Sequence, residues 1–96
     1  MGQRYLVVVD MQHDFVDGAL GTPEAQAIVA SVAAKAQAFD GTVVFTKDTH
    51  YSDYLQTLEG KNLPVEHCLH GTPGWELMPE LQTIRDERNS FVFEKT

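Results

Sequence analysis

The sequence predicts an α/β fold in which helices cover a parallel sheet. Two short runs of apolar, mostly branched residues, 6–9 and 42–46, are typical of strands that are buried on both faces. An amphipathic pattern of helical length separates them, and this order favours a parallel, right-handed crossover. Ninety-six residues make one domain at most. A domain this small buries a limited core, so we expect marginal stability unless a metal or a partner contributes.

The first strand ends at Asp10, which is the first polar residue after the apolar run. It therefore brings a carboxylate to the carboxyl edge of the sheet, where ligands bind in open α/β folds. Capping of the following loop is the simpler interpretation of a lone aspartate. Residues 12–21 are polar and contain an Asp-Gly pair, so they are predicted to form a loop with a turn at 17–18.

A helix is predicted to begin at Thr22 and to end at residues 40–41. Thr22 offers an N-cap hydroxyl, Pro23 suits the first helical position, and Gly41 tolerates the left-handed backbone that often ends a helix. The apolar residues between them recur at helical spacing, so we expect that stripe to pack on the sheet. Its members are Ala25, Ile28, Val29, Val32, Ala33, Ala36 and Phe39.

The second strand, residues 42–46, delivers the polar residues 47–50 to the edge that holds Asp10. Residues 51–74 are predicted to be a long irregular stretch, which a compact domain rarely keeps without a functional reason. A weaker helical pattern covers residues 75–85. The alternation at 90–94 predicts a third strand, which places Lys95 at the same edge as Asp10.

Charge and composition exclude several classes of partner. Fourteen acidic and seven basic residues give a formal charge of −7, which repels nucleic acid and anionic membrane surfaces. No segment approaches the roughly 20 apolar residues of a membrane span, and the first residues have no signal-peptide pattern. Cys68 is the single cysteine and forms no internal disulfide. We therefore expect a cytoplasmic protein with neither a nucleic acid nor a membrane partner.

Two groups of polar residues suggest chemistry at the predicted edge. Asp10 and Lys95 form either a plain ion pair or a pair that tunes a third group, such as a thiol. Alternate side chains of an extended Asp-x-His segment lie on one side, so two ligands of this segment can reach one ion. The candidate ligands are Asp48, His50, Glu59 and His67, a set that suits zinc, iron or manganese. Spacing alone leaves two unrelated surface histidines as the alternative.

Four stretches carry a resemblance to a known family. In order they are LVVVDMQHDF, TVVFTKDTH, LPVEHCLHGTPGWEL and FVFEKT. Together they resemble the isochorismatase-like cysteine hydrolase family, particularly its nicotinamidase-like amidases, over residues 5–96. The resemblance implies a Rossmann-like, three-layer α/β fold with a doubly wound parallel sheet, of which this chain is the N-terminal half.

The resemblance also implies roles for individual residues. Asp10 and Lys95 match the catalytic aspartate and lysine of the family. Metal ligands are implied for Asp48, His50 and His67, with Glu59 similar to a fourth ligand that is glutamate in some members. The family resemblance implies that the metal orients the pyridine nitrogen of a small carboxamide such as nicotinamide. Phe15 and Trp75 are candidate apolar walls of the substrate site, although both are also candidate core residues.

The catalytic cysteine of the family lies well beyond its lysine motif. Cys68 follows His67 and matches a different family position, so we do not expect it to be the nucleophile. Residues 1–96 are therefore expected to be a single, incomplete domain that is inactive alone. The family's first strand is central, so the half domain leaves an open apolar edge. We expect this edge to pair in a homo-oligomer or with a companion chain that supplies the second half.

Three alternatives to an amidase remain at this point. An isochorismatase-type hydrolase shares the Asp-Lys pair and needs no such metal site. A non-catalytic metal-binding or interaction half domain fits a chain that lacks the nucleophile. A receiver-type signalling domain also places Asp and Lys at strand ends, but it requires paired acids at the first strand end and a shorter loop than residues 51–74.

Overall fold

The computed structural model describes residues 3–96, which form one sheet of three parallel strands. The strands are β1, Tyr5–Val9; β2, Thr42–Asp48; and β3, Val92–Lys95. They lie side by side in the order β1-β2-β3, with Val8 beside Phe45 and Phe45 beside Val92. Because all three strands run the same way, their carboxyl ends meet at one edge, as the sequence predicts.

Four helices and two short 3₁₀ turns connect the strands. The helices are α1, His13–Val16; α2, Pro23–Ala38; α3, Leu58–Asn62; and α4, Pro79–Arg88; the turns are Tyr54–Gln56 and Pro73–Trp75. The predicted start of α2 is confirmed, because the Thr22 hydroxyl accepts the N–H of Ala25 at 3.0 Å and Pro23 is the first helical residue.

Several predicted boundaries are wrong. Residues 12–21 contain α1 rather than only a loop, and the stretch 51–74 contains α3 and a 3₁₀ turn. The last helix begins at Pro79 rather than at residue 75, and it continues to Arg88 before Asn89 adopts the left-handed backbone at φ 52°. Within α2, Val29 and Ala36 are buried but Ile28 is half exposed, so the buried stripe is narrower than predicted.

The inner face of the sheet forms the core. Side chains alternate across a strand, so Val8 of β1 and the neighbouring Phe45 of β2 point to the same side. Helices α2 and α4 contact each other and pack against this face. The buried core cluster consists of Val8, Ala36, Val43, Phe45, Leu77, Leu81 and Ile84.

The outer face of the sheet is exposed, which corrects the prediction that the strands are buried on both faces. Tyr5, Val7 and Val9 of β1, together with Phe91 and Phe93 at β3, have exposed fractions between 53% and 65%. The cause is that α2 and α4 both lie against the inner face. The predicted open edge is confirmed, because β1 pairs only with β2 among the described strands. Within residues 3–96, no helix is long and apolar enough to cross a membrane.

Candidate metal centre and catalytic pair

Asp10 and Lys95 form an ion pair at the carboxyl edge. The Lys95 ammonium donates to Oδ2 of Asp10 at 2.7 Å, and the Thr46 hydroxyl donates to Oδ1 at 2.6 Å. The backbone N–H of Asp10 donates in turn to the Thr46 hydroxyl at 3.1 Å. Asp10 adopts a left-handed backbone at φ 55°, which aspartate tolerates better than most residues. The carboxylate is therefore held at both oxygens, and its orientation is fixed.

The contact between Asp10 and Lys95 stabilises the protonated form of Lys95. Its hydrogen bond to Asp10 raises the pKa of the Lys95 ammonium, although partial burial opposes that change. The lysine side chain is still 40% exposed. Lys95 is therefore a stable cation at neutral pH, and it lies next to the end of β2.

Four candidate ligands converge beside this pair. Asp48 ends β2, His50 follows it, Glu59 lies on α3, and His67 lies in the loop after α3; one ligand atom of each lies within 4.8 Å of the others. Nε2 of His50 lies 2.9 Å from Asp48 and 3.4 Å from Glu59. Nε2 of His67 lies 3.8 Å and 3.9 Å from the same two carboxylates.

These separations fit a small divalent cation. Ligand bonds of about 2.1 Å in a tetrahedral zinc site place neighbouring ligand atoms about 3.4 Å apart. The four separations in the cluster, from 2.9 to 3.9 Å, bracket that value. Two imidazoles and two carboxylates are also ligands that zinc, iron and manganese accept. The donor set and its spacing therefore support a metal site.

His67 is oriented for ligation by a backbone contact. Its Nδ1 lies 2.7 Å from the Val65 carbonyl oxygen, and a carbonyl only accepts, so Nδ1 carries the proton. Nε2 then presents its lone pair to the cluster. Contacts of this kind fix the tautomer and ring angle of histidine ligands in metal sites. His67 is also buried, so its ring has little freedom to turn away.

Glu59 reaches the cluster because of the way α3 begins. The Thr57 hydroxyl accepts the N–H of Gly60 at 3.0 Å and donates to the Tyr54 carbonyl at 2.6 Å. A Cβ atom on Gly60 would collide with that same carbonyl oxygen, so the close approach requires glycine. The Tyr54 ring packs edge-on against the rings of both His50 and His67. Burial and the nearby Glu59 carboxylate raise the pKa of Tyr54.

Two backbone hydrogen bonds join the segment that contains His50 to the segment that contains His67. The N–H of His50 donates to the Cys68 carbonyl at 2.9 Å, and the N–H of His70 donates to the His50 carbonyl at 2.8 Å. Cys68 adopts a left-handed backbone at φ 51°, and its own N–H donates to Oδ2 of Asp14 at 2.7 Å. Asp14 therefore fixes the residue that follows His67.

Gln12 is a functional candidate that the sequence interpretation missed. Its side chain is fully buried, and its amide donates to the carbonyls of Asp48 at 2.9 Å and Trp75 at 2.8 Å. Its oxygen accepts the N–H of Asp48 at 2.9 Å. Gln12 therefore binds both the N–H and the carbonyl of Asp48, one of the candidate metal ligands. A polar residue after a strand normally indicates a loop. No spacing in the sequence indicates that Gln12 is buried and hydrogen-bonded to the backbone of Asp48.

Cys68 lacks the properties of a nucleophile. The side chain is buried, and burial together with the Asp14 carboxylate raises the pKa of its thiol to about 12. The reactive thiolate is therefore scarce at neutral pH. That Cys68 is not the catalytic cysteine stays a prediction.

The two candidate apolar walls differ in their surroundings. The Phe15 ring packs edge-on against His67 at 5.4 Å, so it borders the ligand cluster. The Trp75 ring packs against His70 and lies 3.8 Å from the Lys47 ammonium, while its N–H donates to the Thr49 hydroxyl. Those contacts are typical of a buried core residue, and the role of Trp75 as a substrate wall stays a prediction.

Comparison with known proteins identifies a family and a set of similar structures. The family described as Isochorismatase domain matches residues 4–96. Among solved structures, a nicotinamidase/pyrazinamidase from Bacillus subtilis is 29% identical with a TM-score of 0.80, covering 99% of this chain and 57% of that chain. N-carbamoylsarcosine amidase from Thermoplasma acidophilum is 33% identical with a TM-score of 0.79, covering 98% and 52%.

A third structure was solved with a metal. The pyrazinamidase of Pyrococcus horikoshii in complex with zinc is 30% identical with a TM-score of 0.71, covering 96% of this chain and 51% of that chain. The chain thus spans about half the length of the structures that it matches. No curated protein sequence matches it. These similarities confirm the predicted fold, the N-terminal half of an isochorismatase-like α/β sheet.

Proposed function

We propose that this chain, which belongs to the Isochorismatase domain family, carries the metal centre and two catalytic groups of a nicotinamidase-type amide hydrolase. One observation carries the proposal: Asp48 and Lys95 are register partners on adjacent strands. The ligand cluster and the Asp10–Lys95 pair therefore share one edge, where a single small substrate can contact both. Solved structures that are about 30% identical are also named as amidases.

In this proposal, Asp10 and Lys95 prepare a cysteine that lies outside these 96 residues. Asp10 accepts the thiol proton, and the Lys95 cation stabilises the thiolate. The thiolate attacks the carboxamide carbon and forms a thioester. The C–N bond breaks, and the proton that Asp10 accepted passes to the leaving nitrogen, which departs as ammonia. Water then cleaves the thioester to the carboxylic acid and regenerates the thiol.

The proposed metal is zinc, with iron or manganese as alternatives, and Asp48, His50, Glu59 and His67 would hold it. When bound, it supplies a Lewis acid that can bind a ring nitrogen of the substrate. Phe15, which borders His67, would contact the apolar face of that ring. The proposed substrate is thus a small aromatic carboxamide of the nicotinamide type. We propose the cytoplasm as the compartment, since the single cysteine needs no oxidising environment.

Residues 1–96 are proposed to be one domain that acts only with further polypeptide. A companion chain or another copy of the chain would meet the open edge of β1. The proposal requires the nucleophile to come from a companion chain rather than from another copy, because the single Cys68 is buried and its thiol pKa is raised.

Metal content tests the first half of the proposal. Purified chain should contain about one equivalent of zinc, iron or manganese by elemental analysis. The variant His67→Ala should lose it, because one imidazole of the cluster is removed. The control is His13→Ala, since His13 pairs with Asp17 outside the cluster. Equal metal content in wild type and His67→Ala would refute the metal centre.

A cobalt-substituted sample tests the substrate class without requiring turnover. Adding nicotinamide should change the visible d–d absorption of bound cobalt, because its ring nitrogen can become a ligand. Benzamide has the same shape and lacks that nitrogen, so it should leave the spectrum unchanged. If the two amides produce identical spectra, the nicotinamidase-type assignment fails and an isochorismatase-type hydrolase becomes the better candidate.

A second candidate function is a non-catalytic metal-binding module, favoured by the burial of the single cysteine. Ammonia release from nicotinamide, pyrazinamide and N-carbamoylsarcosine by the chain alone tests an assumption that both candidates share, namely that residues 1–96 lack a nucleophile. We expect no release above the buffer rate. Release that disappears in Cys68→Ala would instead show that the chain is a complete hydrolase.

A further inference from the structure

The buried side chain of Trp75 contacts the end of β2 on both sides of a candidate ligand. Its indole N–H donates to the Thr49 hydroxyl at 3.0 Å, and its ring lies 3.8 Å from the Lys47 ammonium. The Thr49 hydroxyl donates in turn to the Lys47 carbonyl at 3.2 Å. Lys47 and Thr49 are the residues before and after Asp48. One indole therefore holds both neighbours of Asp48.

Two further contacts lead from Trp75 to the ligand segment. The Trp75 carbonyl accepts the side-chain amide of Gln12 at 2.8 Å, and that amide also donates to the Asp48 carbonyl at 2.9 Å. The Trp75 ring packs against His70 with 4.7 Å between ring centroids, and the N–H of His70 donates to the His50 carbonyl at 2.8 Å. Trp75 is thus joined to both Asp48 and His50 through a single intervening residue.

Thr49 extends these contacts to the catalytic pair. Its backbone N–H donates to the Lys95 carbonyl at 2.7 Å, while its hydroxyl accepts the indole N–H of Trp75. Thr49 is buried, so breaking either hydrogen bond leaves a polar group without water to replace its partner. The ligand cluster and the end of β3 therefore share one buried support.

The position of Trp75 is itself fixed by its neighbours. The N–H of Trp75 donates to the Thr72 carbonyl at 3.1 Å, and the carbonyl of Glu76 accepts the N–H of His13 at 3.0 Å. The Glu76 carboxylate accepts the Lys47 ammonium at 2.8 Å, which keeps the cation next to the indole ring. Lys47 is buried, and a cation–π contact is stronger when it is shielded from water.

We propose that Trp75 is a positioning residue that orients both the ligand cluster and the end of β3. It acts through Thr49, Gln12 and His70 rather than by touching the metal or the substrate. Contacts that orient ligands from outside a metal site commonly change metal affinity 10–100-fold. The expected effect on zinc rests on the proposed metal centre, whereas the expected effect on the backbone of Asp48 and Thr49 needs no metal.

A double-mutant cycle between Trp75 and Thr49 tests the proposal. Trp75→Phe removes the indole N–H and keeps an aromatic ring, and Thr49→Val removes the hydroxyl and keeps the side-chain shape. Each should weaken zinc binding about 10-fold in a competitive titration. Because both variants break the same hydrogen bond, the double variant should bind zinc no more than about twofold more weakly than the weaker single variant. Independent effects would instead multiply to about 100-fold.

Hydrogen exchange on the metal-free chain gives a readout that does not depend on zinc. Both single variants should speed exchange of the Asp48 and Thr49 amides at least ~10-fold relative to the Phe45 amide in the middle of β2. The control is Ile84→Val, which removes one methylene from the buried core cluster, to which Trp75 does not belong. The control should change neither the zinc affinity nor the ratio of exchange rates.

The two measurements separate failure of this proposal from failure of the metal centre. If wild type binds zinc and Trp75→Phe binds it as tightly as Ile84→Val does, the metal centre stands and the positioning role is overturned. A double variant whose loss is the product of the single losses also overturns it, because the two residues then act separately. If wild type binds no zinc, the metal centre fails and hydrogen exchange decides: a ratio that stays at the wild-type value in both single variants overturns the positioning role.

Discussion

Asp10 shows how much of the candidate site depends on contacts between distant residues. Its two carboxylate oxygens are held by Thr46, 36 residues away, and by Lys95, 85 residues away. The position of Asp10 after an apolar run was enough to predict a carboxylate at the sheet edge. The part played by Thr46 could not be predicted, because a threonine within a strand is common and carries no signal of a partner.

The charge state of Lys95 provides a test of this pair. Asp10→Asn should lower the pKa of the Lys95 ammonium, because the carboxylate that raises it is removed. Carbon-13 NMR of the dimethylated lysines can follow the titration of the Lys95 signal in both proteins. The ion pair contributes its full stability below the ordinary lysine pKa of about 10.4 and loses it as the pH rises through the higher folded-state value. Equal pKa values in the two proteins would show that the pair is not formed in solution.

Gln12 provides the second test at this scale. Gln12→Ala leaves one buried and two partly buried backbone groups without their hydrogen bonds, so we expect a loss of about 2–3 kcal/mol in the free energy of unfolding. Zinc affinity should fall as well, because the backbone of Asp48 loses the two hydrogen bonds that position this candidate ligand. Urea denaturation and a competitive zinc titration measure the two effects. Gln26→Ala on the exposed side of α2 is the control, and a similar loss there would argue against a specific clamp.

A helix could be predicted from the sequence when it was long and when capping residues marked its start. Helix α2 has 16 residues, a Thr22 cap and Pro23 at its start, so both its type and its first residue were predicted from sequence. Helices α1 and α3 have four and five residues. Helices of this length are too short to show a helical period in the sequence. Helix α3 nevertheless places Glu59 in the candidate metal site. The prediction that residues 51–74 are irregular was therefore wrong at α3, the helix that contributes Glu59 to the candidate metal site.

A pair of glycine substitutions tests whether α3 positions Glu59. Gly60→Ala should reduce zinc affinity at least about tenfold and destabilise the fold, because the new Cβ would collide with the Tyr54 carbonyl and displace α3. Gly71→Ala is the matched control. Gly71 has φ 82° but no atom near its missing Cβ, so the substitution should cost about 1–2 kcal/mol of stability with zinc affinity kept. Equal zinc affinities in the two variants would contradict this role for α3.

For the molecule as a whole, the sequence predicted the parallel α/β class but not which face is covered. Runs such as residues 6–9 are apolar on both sides, and the pattern does not say which helices pack on which side. In the structure, α2 and α4 both pack on the inner face, so only half of the apolar strand surface is buried within the chain. The core that residues 3–96 bury is small, so a bound metal should contribute measurably to their stability.

Zinc should therefore stabilise the whole chain. Binding to the folded state alone adds about 2.7 kcal/mol when free metal is at 100 times its dissociation constant. Calorimetry should show a rise in Tm with zinc for wild type and for the His13→Ala control, and no rise for His67→Ala. An equal rise in His67→Ala would mean that zinc acts elsewhere on the chain.

The two groups at the carboxyl edge differ in how much chain must be synthesised before each can form. All four candidate ligands lie within residues 48–67, whereas Asp10 and Lys95 are separated by 85 residues. Closing a short loop costs less entropy than closing a long one, and contacts between distant residues form late in folding. On a ribosome, the ligand cluster can thus assemble before β3 has emerged. A metal ion bound at that stage would stabilise the ligand cluster before the Asp10–Lys95 pair can form.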